Sequence, residues 1–118
     1  VPEAVLNAIA GHADHTGVPR ESLLAKALFA CDEVTGLITA VALVRPSRSL
    51  YDLKASSVRK KWKDKSFAAG ADRDMIAQGA QEFGVDLWQH VDFAINAMRR
   101  IAKDLDLEGS FTPEDALN

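Results

Sequence analysis

The segment 19–45, which contains the most apolar stretch of the sequence at 23–44, constrains this chain more than any other feature and predicts one long helix. Pro19 suits the first turn of a helix, and Pro46 can end one. Apolar side chains occupy several faces of this segment, which is typical of a helix at the centre of a fold. The segment is long enough to span a membrane, but Asp32 and Glu33 near its middle favour a soluble core helix.

Asp32 is the residue of this helix that most needs an explanation. Burying an isolated charge is costly unless the charge is paired, neutralised or bound to a cation. We therefore expect Asp32 to have a partner, either a nearby Arg, Lys or backbone group or a metal ion. The residues alone favour the first of these two explanations.

The other long periodic segments are also helical, and no stretch alternates like a half-buried strand. The sequence therefore predicts an all-α fold, a bundle of about five or six helices around the central helix 19–45. The other predicted helices are 2–11, a short helix from Ser56 or Ser57 through Trp62, 73–83 between an Asp72 cap and a Gly84 stop, and a last long helix after Asp86.

The predicted faces of the terminal helices follow from their apolar spacing. In the first helix Val5, Leu6 and Ile9 are expected to point inward. In the last helix the expected solvent-facing residues are Arg99, Arg100, Lys103 and Asp104, and the expected inward residues are Leu87, Val91, Ala94, Ile95, Met98, Ile101, Ala102 and Leu105.

The composition describes one ordinary globular domain: 118 residues, 47% hydrophobic, 26% charged, with a net charge of −3. An acidic chain has no general affinity for polyanions, so nucleic acid is not the expected partner. The single cysteine, Cys31, can form no internal disulfide and is expected to fill the core. With no signal peptide or membrane-spanning segment recognised, we expect a cytoplasmic protein.

Four separated blocks carry a family resemblance: GVPRES at 17–22, KALFACDEVTG at 26–36, AVALVRPS at 40–47 and SVRKKWKDKSFAAG at 57–70. Together they resemble the C-terminal half of a bacterial subfamily of HD-domain metal-dependent phosphohydrolases. The resemblance covers most of residues 1–107, which we take as one partial HD-domain-like helical domain. Residues 108–118 then form a C-terminal tail, in which Thr112 and Pro113 favour one helical turn.

The resemblance implies a metal site whose ligands are a His, a His-Asp dyad and a later Asp. Asp32 matches the later Asp, and a divalent cation would supply the charge that compensates it. His12 matches more loosely a position where family members place an additional His near the metals or the phosphate. A solvated or capping role is the alternative for His12, and the same alternative is stronger for Asp14 and His15. Such a mixed ligand set does not choose among Mn, Mg, Ni, Fe and Zn.

The chain departs from the family pattern because it contains no His-Asp dipeptide. Its histidines are His12, His15 and His90, and His90 is expected to pack or face solvent on the last helix. The resemblance places the missing ligands in helices before Val1. Because catalytic sites usually keep about three protein ligands, the chain alone is expected to be inactive.

Arg45, Lys60 and Lys61 are the candidates for contact with a substrate phosphate. Lys60 and Lys61 belong to a basic cluster around Trp62, together with Arg59, Lys63 and Lys65. The alternative is a solvated helical face with Trp62 and Phe67 packed beneath it.

Two functions from different classes remain open at this point. The first is a phosphohydrolase acting on a phosphorylated small molecule or nucleotide, completed by residues outside this chain. The second is a non-catalytic helical remnant that serves dimerisation or partner binding. Without the N-terminal helices that the resemblance implies, the apolar central helix would be partly exposed. Monomers tolerate only limited apolar patches, so we expect a homodimer or a complex with the missing N-terminal half.

Overall fold

The regular structure of the described residues, 3–11, 17 and 19–110 of the computed structural model, is entirely helical. Its five helices are α1 (Glu3–Gly11), α2 (Leu23–Val44), α3 (Ala55–Trp62), α4 (Arg73–Phe83) and α5 (Leu87–Arg99). No strand occurs within these ranges. The predicted all-α class is therefore confirmed, with α2 in contact with each of the other four helices.

The core forms around the C-terminal two thirds of α2. Val34, Leu37, Ile38, Val41 and Ala42 of this helix are at most 1% exposed. They pack against buried side chains from α3, α4, α5 and the segments on either side of them, which are Leu50, Leu53, Val58, Ile76, Val91, Ala94, Ile95, Met98, Ala102 and Leu107. The central position predicted for this helix is confirmed.

The central helix begins later than predicted, at Leu23 and not at Pro19. Ser22 has an extended backbone, and its hydroxyl accepts a hydrogen bond from the Ala25 N–H at 3.1 Å, which caps the first turn. The C-terminal end lies at Val44, as the position of Pro46 predicts, because the residue before a proline is disfavoured in the helical region.

Arg20, just before α2, contacts residues of α1, α2 and α4. Its guanidinium donates to the carboxylate of Glu82 on α4 at 2.8 and 2.9 Å and to the carbonyl of Gly11 at 2.9 Å. It also lies 3.6 Å from the ring centroid of Phe29 on α2. These bonds lower the pKa of Glu82 below its usual value, since they favour the charged carboxylate.

The bounds predicted for α4 are confirmed. Asp72 and Asp86, which precede α4 and α5, each accept hydrogen bonds from two backbone N–H groups of the first turn. Gly84 ends α4 with a φ of 80°, a left-handed conformation that glycine adopts without steric penalty.

The last helix ends at Arg99, and the extension of its apolar face to Leu105 is wrong. Ile101 and Leu105 are 48% and 41% exposed, whereas Leu107 is buried. Residues 100–106 form turns, and the Leu107 N–H bonds the carbonyl of Ala102 at 2.8 Å. The chain therefore leaves the helix so that Leu107, rather than Leu105, enters the core.

Arg99 does not face solvent as predicted. Its guanidinium donates to the carbonyls of Leu50 and Leu53, at 2.9 and 2.6 Å. The segment between α2 and α3 is not helical, and Arg99 supplies donors from α5 to the Leu53 carbonyl and to the Leu50 carbonyl, which also accepts the Leu53 N–H at 3.3 Å.

The inward face predicted for α1 is wrong for Leu6 and Ile9, and Val5 is half-buried. Leu6 and Ile9 are 54% and 51% exposed, while Ala8 and Gly11 are buried. The face of α1 with small residues therefore packs against α2, and Leu6 and Ile9 remain on the surface.

After α5 the described chain returns to the end of α2. The Ser110 N–H bonds the carbonyl of Ser47 at 2.9 Å, and the Tyr51 hydroxyl donates to Glu108 at 3.1 Å. The helical turn predicted at Thr112 lies outside the described residues.

By length and composition alone, α2 also qualifies as a membrane-crossing helix. Core helices of soluble proteins pass the same test, so this is weak evidence.

Candidate functional site

Asp32 lies on the side of α2 that faces away from the core, at the edge of an open recess. Its side chain is exposed and that of Glu33 is half-buried. The recess has a volume of about 440 Å³. Its lining residues are Asp32, Glu33, Gly36 and Leu37 from α2, and Ala68, Gly70 and Ala71 from the loop between α3 and α4.

The expectation that Asp32 needs a partner because it is buried is wrong. The exposed carboxylate is hydrated by solvent, so it carries no burial penalty to offset. Within the described ranges no ion pair joins Asp32 to an Arg or Lys. The Thr35 hydroxyl donates to the backbone carbonyl of Asp32 at 2.9 Å and therefore does not occupy the carboxylate. Asp32 is thus free to bind a ligand, although nothing in its burial requires one.

The histidines do not join Asp32 in the part of the chain that the structure describes. His12 and His15, with Asp14, lie outside the described residues. His90 is buried, and its Nε2–H donates to the carbonyl of Ala30 on α2 at 2.8 Å. Of the two alternatives stated for His90, packing or solvent exposure, the structure shows packing.

Cys31, the neighbour of Asp32, is half-buried and only partly fills the core. Burial raises the pKa of its thiol, because desolvation disfavours the thiolate. At neutral pH it is therefore a poor nucleophile and a poor metal ligand.

No group of three or more His, Cys, Asp or Glu side chains in the described residues could hold a metal ion. A carboxylate such as that of Asp32 suits a hard divalent cation, but a catalytic site usually needs about three protein ligands. The described residues therefore do not form a complete metal site.

Arg45, predicted to contact phosphate, has local partners for its charge. Its guanidinium lies 3.2 Å from the carboxylate of Asp52 and donates to the Ser57 hydroxyl at 3.0 Å. The arginine thereby connects the end of α2 to the start of α3, and a phosphate would have to compete with Asp52.

The basic cluster is largely exposed above partly buried aromatic rings, as the alternative interpretation predicts. Trp62 and Phe67 are partly buried against the core, and Trp62 meets the ring of Trp88 edge to face at 5.5 Å. The Lys61 ammonium lies 5.1 Å from the Phe67 ring centroid, while Lys60 is exposed. Neither lysine lines the recess of Asp32.

Lys63 and Lys65, unlike Lys60 and Lys61, line a recess that shares two residues with the recess of Asp32. They border a second recess of about 840 Å³ that also contains Gly70 and Ala71. Because these two residues line both recesses, the recesses adjoin, but the basic side chains line only the second one, together with Asp72 and Asp74.

Arg73 is the residue of this region that sequence reasoning missed. It begins α4, where a cation is disfavoured by the helix dipole, and this unfavourable placement was the available signal. Its guanidinium instead bonds backbone carbonyls of the preceding loop, for example that of Phe67 at 2.7 Å.

Comparison with family models, curated proteins and solved structures finds no match for this chain.

Proposed function

We propose that this chain contributes Asp32 as one metal ligand of a phosphohydrolase site that further residues complete. The observation that carries the proposal is an exposed carboxylate beside an open recess, with no ion-pair partner among the described residues. The family resemblance of residues 17–70 supports it, since Asp32 matches the family's last metal ligand.

The proposed cofactor is a divalent cation, Mn, Mg, Ni, Fe or Zn, which when bound activates a water and polarises a phosphoryl oxygen. Asp32 would hold the cation through its carboxylate. His12 is the second proposed ligand, and the remaining ligands would come from another segment or another chain.

The proposed substrate is a phosphorylated small molecule or nucleotide. Of the three basic residues expected to contact phosphate, Arg45 is compensated by Asp52, and Lys60 and Lys61 lie outside the recess of Asp32. With only Asp32 and His12 proposed as its own ligands, the 118 residues alone should bind metal weakly and show no turnover. The proposed location is the cytoplasm.

Metal binding tests this proposal directly. We expect Mn²⁺, titrated by electron paramagnetic resonance, to bind the chain weakly and to lose that binding in Asp32→Asn. Asp104→Asn is the matched control, because Asp104 is also an exposed carboxylate but lies beyond α5. Equal Mn²⁺ binding by the two variants would show that the Asp32 carboxylate is not a metal ligand.

A second candidate function, non-catalytic assembly, is favoured by the exposed apolar side chains. Leu6, Ile9, Leu23 and Phe93 are each more than half exposed. The proposed partner is a second copy of the chain or the missing N-terminal half. Native mass spectrometry with and without Mn²⁺ separates the two functions. A dimer or complex that retains metal supports the enzyme, and a metal-free dimer supports assembly alone.

A further inference from the structure

The guanidinium of Arg73 organises the loop of residues 63–72, which joins α3 to α4 and is called here the α3–α4 loop. Its nitrogen atoms lie 2.7 to 3.4 Å from six acceptors, every one a backbone carbonyl. These carbonyls belong to Lys61, Trp62, Asp64, Phe67, Ala68 and Ala71.

This arrangement resolves the unfavourable position of a cation at the start of α4. The carbonyls of Lys61 and Trp62 are among the last of α3, where the helix dipole favours positive charge. The Lys61 carbonyl also accepts the Asp64 N–H at 3.1 Å, so Arg73 adds a second donor there, and it supplies a donor to the Trp62 carbonyl at 3.0 Å. The planar fork of an arginine can reach carbonyls on several sides, whereas a lysine ammonium has only three donors at one point.

The same loop forms the wall of the recess that faces Asp32. Ala68, Gly70 and Ala71 line that recess opposite α2. Two of these residues, Ala68 and Ala71, bond the same terminal nitrogen of Arg73. Ala68 has a φ of 46°, a left-handed conformation that alanine holds only when surrounding contacts fix it.

We propose that Arg73 is a positioning residue for the recess beside Asp32, holding the α3–α4 loop so that Gly70 and Ala71 form its second wall. The identity of the ligand in the recess rests on the proposed function, whereas the position of the loop that forms its wall does not. The guanidinium bonds the loop and the end of α3 and does not line the recess of Asp32, so it would act on a bound ligand there through the loop.

Amide hydrogen exchange tests the positioning role. In Arg73→Ala and Arg73→Lys we expect residues 64–71 to exchange roughly tenfold faster or more, the factor expected from losing one charge-assisted hydrogen bond. The α2 and α5 amides should keep their protection. Arg100→Ala is the matched control, because Arg100 is an exposed arginine that begins the turns after α5.

Chemical rescue separates positioning from general stability. A low, non-denaturing concentration of guanidinium chloride should restore protection of residues 64–71 in Arg73→Ala, and sodium chloride should not. Guanidinium otherwise destabilises proteins, so this recovery is a readout that a merely structural role would not produce. No rescue, or uniform loss of protection along the chain in both variants, would overturn the proposal.

Paramagnetic broadening by Mn²⁺ tests whether Arg73 holds the loop next to a metal bound at Asp32. In the unmodified chain Mn²⁺ should broaden the amide signals of Gly36, Gly70 and Ala71, and in Arg73→Lys only that of Gly36. Broadening at all three residues in both proteins would contradict the positioning role. If Mn²⁺ broadens none of these signals in the unmodified chain, the metal role of Asp32 fails, and exchange and rescue still decide the role of Arg73.

Discussion

Two glycines inside helices give the most direct test of the packing described here. Gly36 of α2 is exposed, and a Cβ placed on it would meet no atom within 4 Å. Gly79 of α4 is buried where α4 crosses α2, and a Cβ there would lie 3.0 Å from the Cα of Ala30 and 3.4 Å from Phe29. The same substitution by alanine should therefore have opposite effects at the two positions.

The expected magnitudes follow from helix propensity and packing. Alanine is more favourable than glycine inside a helix by about 1 kcal/mol, and Gly36→Ala should gain most of that. Gly79→Ala gains the same amount but forces two helix backbones apart, and overpacking costs about 1 to 3 kcal/mol. We expect Gly36→Ala to stabilise the chain by about 1 kcal/mol and Gly79→Ala to destabilise it by about 1 kcal/mol.

Urea unfolding followed by far-ultraviolet circular dichroism measures both effects. The transition midpoint should rise for Gly36→Ala and fall for Gly79→Ala, with an unchanged m-value in each case. Because a change of 1 kcal/mol moves Tm by about 3 to 6 °C in a chain of this size, thermal unfolding should give the same order. Stabilisation by both substitutions would refute the close crossing of α2 and α4, and destabilisation by Gly36→Ala would refute the open surface at Gly36.

Two further predictions concern buried or half-buried arginines. The Arg20 pair lowers the pKa of Glu82, so its contribution is present above the unfolded pKa of a glutamate and is lost as the pH falls through the lower folded value. Glu82→Gln should therefore reduce stability by about 1 kcal/mol at neutral pH, and the difference between the two proteins should vanish at strongly acidic pH in unfolding experiments. A difference independent of pH would contradict this explanation. Arg99→Met should cost about 2 kcal/mol, because the Leu53 carbonyl loses its Arg99 donor and the Leu50 carbonyl keeps only the longer bond from the Leu53 N–H, and an unchanged urea midpoint would exclude this role.

Local signals in the sequence predict α4 well and α5 less well. Asp72 and Gly84 mark both ends of α4, since capping and left-handed geometry depend on residues near in sequence. The apolar spacing that continues to Leu105 gives no such stop. The end of α5 depends on Leu107 entering a core built by distant residues, so the local pattern could not predict it.

The error over Asp32 has a different cause. Its apolar sequence neighbours suggested burial, but a helix places neighbours in sequence on different faces. Asp32, Gly36 and Thr39 recur at i, i+4 and i+7, a spacing that marks one less apolar face of α2. This signal was present in the sequence, and it predicts the observed exposure of Asp32 and Gly36.

The recess itself could not be predicted from local patterns, because its two walls are distant in sequence. One wall is a turn of α2 around Asp32, and the other is the loop segment from Ala68 to Ala71. The loop takes its shape from hydrogen bonds between Arg73 and backbone carbonyls, which every residue type provides and no sequence motif records. An arginine at the start of a helix, where its charge is disfavoured, therefore indicates that its guanidinium has partners outside that helix. The partners of Arg73 include carbonyls of the loop that forms the wall opposite Asp32.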